Sequence, residues 1–194
     1  MPRSGIKGLD TVAWGTHLCM FYKSAVELRQ LLIPYFQTGL ADGECCVWIT
    51  GPSLSEEEAL ESLQRTMPQI RDHLETGQME IVPYTQWYVD NGSFRPDAVL
   101  AAWFSKLHQA THRGFAGLRV AGDASWLSSK EQRREFITYE QQVTTSVTAQ
   151  RLLALCAYPS AAWVPEEMLQ VMQCHKSVLL SGSEGWKAID VCCS

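Results

Sequence analysis

The 194-residue sequence predicts one α/β domain, a three-layer sandwich of a mainly parallel sheet with helices on both faces. Three observations carry that reading: five short apolar runs, helical spacing of apolar residues between them, and serine–glutamate pairs where those helical segments begin. Strands alternating with helices require right-handed crossovers, which leave the strands parallel.

His17 to Tyr22, H-L-C-M-F-Y, reads as the first strand, and Ser24 with Glu27 forms a capping box that opens a helix to Gly39. Pro34 should kink or shorten that helix. Cys45 to Thr50 is the second strand. Ser55 with Glu58 is the next capping box, before an amphipathic segment (Leu60, Leu63, Met67, Ile70, Leu74) that Pro68 should split. Met79 to Tyr84 is the third strand. Pro96 then sits at a first helical position, ahead of Val99, Leu100, Trp103, Phe104 and Leu107 at helical spacing. The fourth strand lies in G-F-A-G-L-R-V-A-G-D-A-S-W, Gly114 to Trp126, where an apolar run between glycines marks a strand covered on both faces. Ser128 with Glu131 makes a third capping box, and Phe136, Tyr139, Val143 and Val147 continue at helical spacing. Leu152 to Tyr158 is the fifth strand, and a short helix runs from Pro165 to about Gln173. The core spans about residues 12–180, and the tail 181–194 reads as loosely tied or disordered.

Composition narrows the function classes. A net charge of −5, a pI near 5.5 and the lack of any basic run argue against nucleic acid and anionic membrane as direct partners. Neither a signal peptide nor a span-length apolar stretch is visible, which points to a cytoplasmic protein. Seven cysteines, with Cys45, Cys46 and Cys156 in strand-like runs, suit reduced buried thiols, and Cys192 and Cys193 read as incidental surface thiols.

In a parallel sheet, ligands bind beyond the carboxyl ends of the strands. That rim gathers Tyr22, Thr50, Tyr84, Asp123 and Tyr158, with Trp87, Tyr88 and Trp126 in the loops just after, while Trp48 and Tyr139 complete the aromatic candidates. Such a crescent suits a small, largely apolar ligand; the same residues also serve to cap a core. Polar candidates for orienting the ligand are His17, Cys19, Arg119, Asp123 and Glu140. Arg119 must find a partner, since an unpaired buried charge costs several kcal/mol, and Asp123 and Glu140 are options. No phosphate-binding loop follows the first strand and no G-x-G-x-x-G occurs, so nucleotide chemistry lacks its cradle and no catalytic constellation is recognisable. His17 and Cys19 share a strand face, and Cys156 and His175 can join them through the fold, giving a Cys/His set for a metal or haem. A histidine hydrogen-bonded to backbone is the alternative.

The chain resembles the MEDS family, the sensory domain named for methanogens, methylotrophs and the dichloromethane-responsive repressor. The resemblance rests on H-L-C-M-F-Y at His17 to Tyr22, G-L-A-D-G-E at Gly39 to Glu44, L-R-V-A-G-D-A-S-W at Leu118 to Trp126, Tyr139 with Glu140, L-C-A-Y at Leu155 to Tyr158, and His175. The family pattern has glutamate at the position of Asp123. The resemblance implies a RecA-like or KaiC-like sheet without its phosphate loop. It also implies a non-catalytic sensor of small hydrocarbon derivatives or C1-type compounds. Its output would pass to a separate partner of kinase, anti-sigma or transcription-regulator type, with a homodimer as a further option.

Overall fold

The computed structural model describes residues 1–90, 92–182 and 185–191. Its strands are β1 (Arg3–Ile6), β2 (Leu9–Thr11), β3 (His17–Tyr22), β4 (Cys45–Thr50), β5 (Met79–Pro83), β6 (Val89–Asp90), β7 (Ser93–Phe94), β8 (Leu118–Asp123), β9 (Leu152–Pro159), β10 (Ser177–Gly182) and β11 (Gly185–Asp190). The helices are α1 (Ala25–Ala41), α2 (Glu56–Thr66), α3 (Ile70–Glu75), α4 (Tyr84–Trp87), α5 (Pro96–His112), α6 (Lys130–Val147) and α7 (Pro165–Gln173).

The main sheet runs β11-β10-β3-β9-β8-β4-β5. Every pairing from β10 to β5 is parallel, and β11 alone lies antiparallel at the edge. The five apolar runs are β3, β4, β5, β8 and β9, and β3, β4 and β8 are buried at every position, as a sheet covered on both faces requires. One face packs under α1, α2 and α3, with Leu18, Met20, Trp48, Ala121 and Leu155 pointing into that layer. The other packs under α5, α6 and α7, with Cys19, Phe21, Val120, Cys156 and Tyr158. The strand pleat makes this division, because successive side chains point to opposite faces.

Several local expectations shift. Helix α1 continues through Pro34 to Ala41. A Cβ on Gly5 of β1, which has φ +77, would collide with the Pro34 carbonyl, so the N-terminal hairpin seats directly on that turn of α1. The segment after Ser55 splits at Pro68 into α2 and α3. The cap of α6 is Ser129 with Gln132, one residue later than Ser128 with Glu131. The tail is not loose throughout: β10 adds to β3 in parallel, and β11 folds back on β10 from Ser177–Asp190 to Gly182–Gly185. Cys192 and Cys193 lie outside the described residues. No helix among the described residues is long and apolar enough to cross a membrane.

Candidate functional site

Because β3, β9 and β10 are neighbours, His17, Cys156 and the turn before β10 meet on one sheet face, and α6 lies across them. His17 Nε2 stands 3.1 Å from Glu140 Oε2, and His175 Nε2 stands 3.0 Å from the same oxygen. Cys156 Sγ is 3.3 Å from His17 Nε2, and the two imidazole rings are 4.0 Å apart. His17, Glu140 and His175 are at most 1% exposed, and Cys156 is 8% exposed. One ligand atom from each of the four residues lies within 4.8 Å of every other.

Hydrogen bonds on the far side of each ring fix which nitrogen carries the proton. His175 Nδ1 faces the Val171 carbonyl at 2.7 Å, and a carbonyl only accepts, so Nδ1 donates. His17 Nδ1 lies 2.7 Å from Thr144 Oγ1, whose own proton goes to the Cys174 carbonyl, so Nδ1 donates here too. In its neutral form each ring therefore turns an Nε2 lone pair toward Glu140. Among the described residues, neither Glu140 oxygen nor His175 Nε2 has a correctly aligned hydrogen-bond partner despite contacts near 3 Å. Acceptors that crowd without donors need a cation between them, either a proton or a metal ion.

The charges respond accordingly. Burial and the neighbouring His175 push His17 down to about 4. Burial opposes charge on Glu140, yet His17 and His175 hold its carboxyl at about 2. Burial likewise opposes charge on His175, but Cys19, Cys156 and Glu140 together raise it well above the ordinary imidazole value. The Cys156 thiol is raised, chiefly by burial and then by the Glu140 charge.

The remaining candidates fall into three places. Tyr84, Trp87, Tyr88, Trp126, Tyr139 and Tyr158 join one aromatic cluster with Phe94, Phe136 and Trp103 on the α5/α6 face. Tyr88 stacks on Trp126 at 5.5 Å, Tyr84 stacks on Trp126 at 5.8 Å, and Trp103 Nε1 donates to Tyr139 Oη at 2.9 Å. The crescent is filled by its own rings. What remains is a void of about 10 Å³, room for about one water, bordered by Tyr88, Trp103, Gly122, Tyr139 and Cys156. Tyr22 and Asp123 lie at the strand ends but on the opposite face, where Tyr22 Oη donates to Asp123 Oδ1 at 2.8 Å and Ser125 donates through N and Oγ.

Trp48 and Arg119 are not at the rim. Trp48 stacks on Phe36 inside the α1/α2 layer. Arg119, at the amino end of β8, pairs with Glu44 through Nε at 2.6 Å and Nη2 at 3.0 Å. Its other N–H groups donate to the carbonyls of Arg3, Ser4 and Tyr35. Its partner is thus neither Asp123 nor Glu140: Asp123 shares the face of Arg119 but stands four residues along, at the other end of β8, and Glu140 of α6 lies across the opposite face. Cys19 is also outside the four-atom cluster; it sits beside Cys156, and Glu140 takes the fourth place. The sequence reading missed Thr144 and Glu44. The first stands one helical turn beyond Glu140, so the pair marks a face of α6 that spacing alone reveals.

The model of the family described as MEDS, "MEthanogen/methylotroph, DcmR Sensory domain", matches residues 16–176. Among solved structures, a KaiC-like protein of the hyperthermophilic archaeon Pyrococcus horikoshii OT3 is similar in fold. Its TM-score is 0.61 at 14% identity, with 96% of this chain and 84% of that chain covered. The comparison with curated proteins gives no match.

Proposed function

The chain belongs to the MEDS family of sensory domains, and from that premise we propose that it senses through a metal ion held by His17, Glu140, Cys156 and His175. The observation behind this reading is the convergence of Nε2, Nε2, Oε2 and Sγ with no aligned hydrogen bond to Glu140 or to His175 Nε2. A tetrahedral shell with bonds of 2.0–2.3 Å places ligand atoms about 3.3–3.8 Å apart, close to the contacts seen. The Nδ1–H bonds to Thr144 and to the Val171 carbonyl supply the outer support that metal-binding histidines need. Two imidazoles, a carboxylate and a thiolate suit a borderline ion such as zinc.

The signal is a small, largely apolar molecule that reaches the centre from the aromatic side. The void by Cys156 supports this direction, since it joins the crescent to the cluster. Anything larger than about one water must part Tyr88 from Trp126, and a ligand that prefers the parted form shifts the population toward it. A signalling protein then reads the altered α5/α6 surface. No residue here requires catalysis.

Native mass spectrometry against the denatured mass tests the metal. One ion per chain is expected in wild type, with loss in His17→Ala and at least about tenfold weaker retention in Thr144→Val. A wild-type chain that carries no ion as purified and takes up none from zinc, iron or copper overturns the reading. The proton on His175 then completes the cluster alone.

A further inference from the structure

We infer that Cys19 and Cys156 are a redox pair whose disulfide empties the metal centre. This rests on the metal reading above and concerns its regulation. Cys19 of β3 and Cys156 of β9 are register partners on neighbouring parallel strands. Such strands run about 4.8 Å apart, inside the roughly 4.4–6.8 Å Cα separation that a disulfide spans. Both side chains point to the same sheet face and into the same packed layer. Both are buried free thiols.

The two sulfurs also share a neighbour, for the thiols of Cys19 and Cys156 both act on the His175 ring. Yet Cys19 is not one of the four converging residues. A thiol therefore stands in register beside the only sulfur among the four. The third thiol nearby, Cys174, is committed elsewhere, with its Sγ donating to the carbonyls of Gln170 at 3.2 Å and Ile137 at 3.7 Å. The void that borders Cys156 leaves one side of its sulfur unpacked, and a small oxidant reaches it when the rings over it part, as the signal molecule also requires.

The oxidant is hydrogen peroxide or another small hydroperoxide. The Cys156 sulfur, a thiolate only as a metal ligand, attacks one peroxide oxygen, the O–O bond breaks with hydroxide leaving, and the Cys19 sulfur then attacks the sulfenic sulfur of Cys156 and displaces its hydroxyl as water. Overall, one thiolate, one thiol, one peroxide and one proton give one disulfide and two waters. The two sulfurs lose two electrons and the peroxide gains them. A disulfide sulfur is a poor metal ligand, so the ion is left with His17, Glu140 and His175 and dissociates.

The test uses the full chain loaded with zinc, with Cys192 and Cys193 changed to Ser so that only the described thiols report. Peroxide should lower the intact mass by the two hydrogens of one disulfide, link the Cys19 and Cys156 peptides, and release zinc to a chromophoric chelator. A thiol reductant should restore binding. Cys19→Ser and Cys19→Ala should both bind zinc yet release it at least tenfold more slowly under peroxide. Release at the wild-type rate from both variants, or a disulfide mapped to Cys174, overturns the inference. A chain that never binds zinc overturns the metal reading, and whether Cys19 and Cys156 still link under peroxide then decides the thiol pair by itself.

Discussion

At the scale of single residues, the buried carboxylates behave in opposite ways for one physical reason. Glu140 faces two imidazoles, His17 and a His175 that is raised into its protonated range, and is held near 2, whereas Asp123 is met by neutral donors and burial pushes it up to about 6, against the bonds from Ser125 and Tyr22. A folded value above the unfolded one means that the native state binds the proton more tightly. Stability should therefore be greatest below about pH 4 as far as Asp123 is concerned, fall as pH rises toward 6, and level off above. The full span is on the order of 3 kcal/mol. Urea titrations of wild type and Asp123→Asn across pH 4 to 7.5 read the difference. An unchanged slope in the variant means that some other group titrates. The sequence shows that Arg119 needs a partner but not that Glu44 supplies it, since that contact spans 75 residues and depends on which strands become neighbours. His17, Cys156 and His175 are legible as chemistry-bearing residues. Glu140 is legible as a polar candidate for orienting a ligand, but not as the partner of His17 and His175 until α6 is laid on the sheet.

Among the elements, β8 shows how a glycine shapes the aromatic layer. A Cβ on Gly122 would collide with the Tyr88 hydroxyl, so the strand makes room for the phenol end of that side chain against its backbone. Gly122→Ala should push Tyr88 off its stack on Trp126 at a cost of about 1–3 kcal/mol, the usual range for overpacking. Near-UV circular dichroism should weaken, and acrylamide should quench tryptophan fluorescence more readily. If both signals match wild type, Tyr88 is not held by this contact. Strands β3, β4, β8 and β9 are legible because full burial writes itself as an unbroken apolar run. Strands β10 and β11 are not, because exposure rises along them and the register with β3 comes from tertiary packing rather than local pattern. The cap of α6 slips by one residue for a similar reason: Ser128 and Ser129 both qualify locally, and Gln132 accepts from the backbone N–H of each.

For the molecule as a whole, the layered fold follows from alternation of strand and helix, but the division of candidate residues between two faces does not. A rim drawn from sequence collects every strand end, while the pleat sends Tyr22 and Asp123 to one side and His17, Cys156 and Tyr158 to the other. The four-residue cluster proposed to hold a metal is assembled from β3, α6, β9 and the turn before β10, so its first and last members stand near opposite ends of the sequence. Contacts between such distant segments form late, after the loops between them have closed. Added zinc should then leave the folding rate unchanged and slow unfolding, by about 100-fold when the ion stands at 100 times its Kd. Stopped-flow folding and unfolding arms measured with and without zinc separate these, and an accelerated folding arm overturns the late-assembly view. If the pocket is the last thing built, the ion meets a finished shape rather than loose side chains competing for whatever metal is at hand. Selection then belongs to geometry, and a wrong ion is refused at the door instead of being folded in.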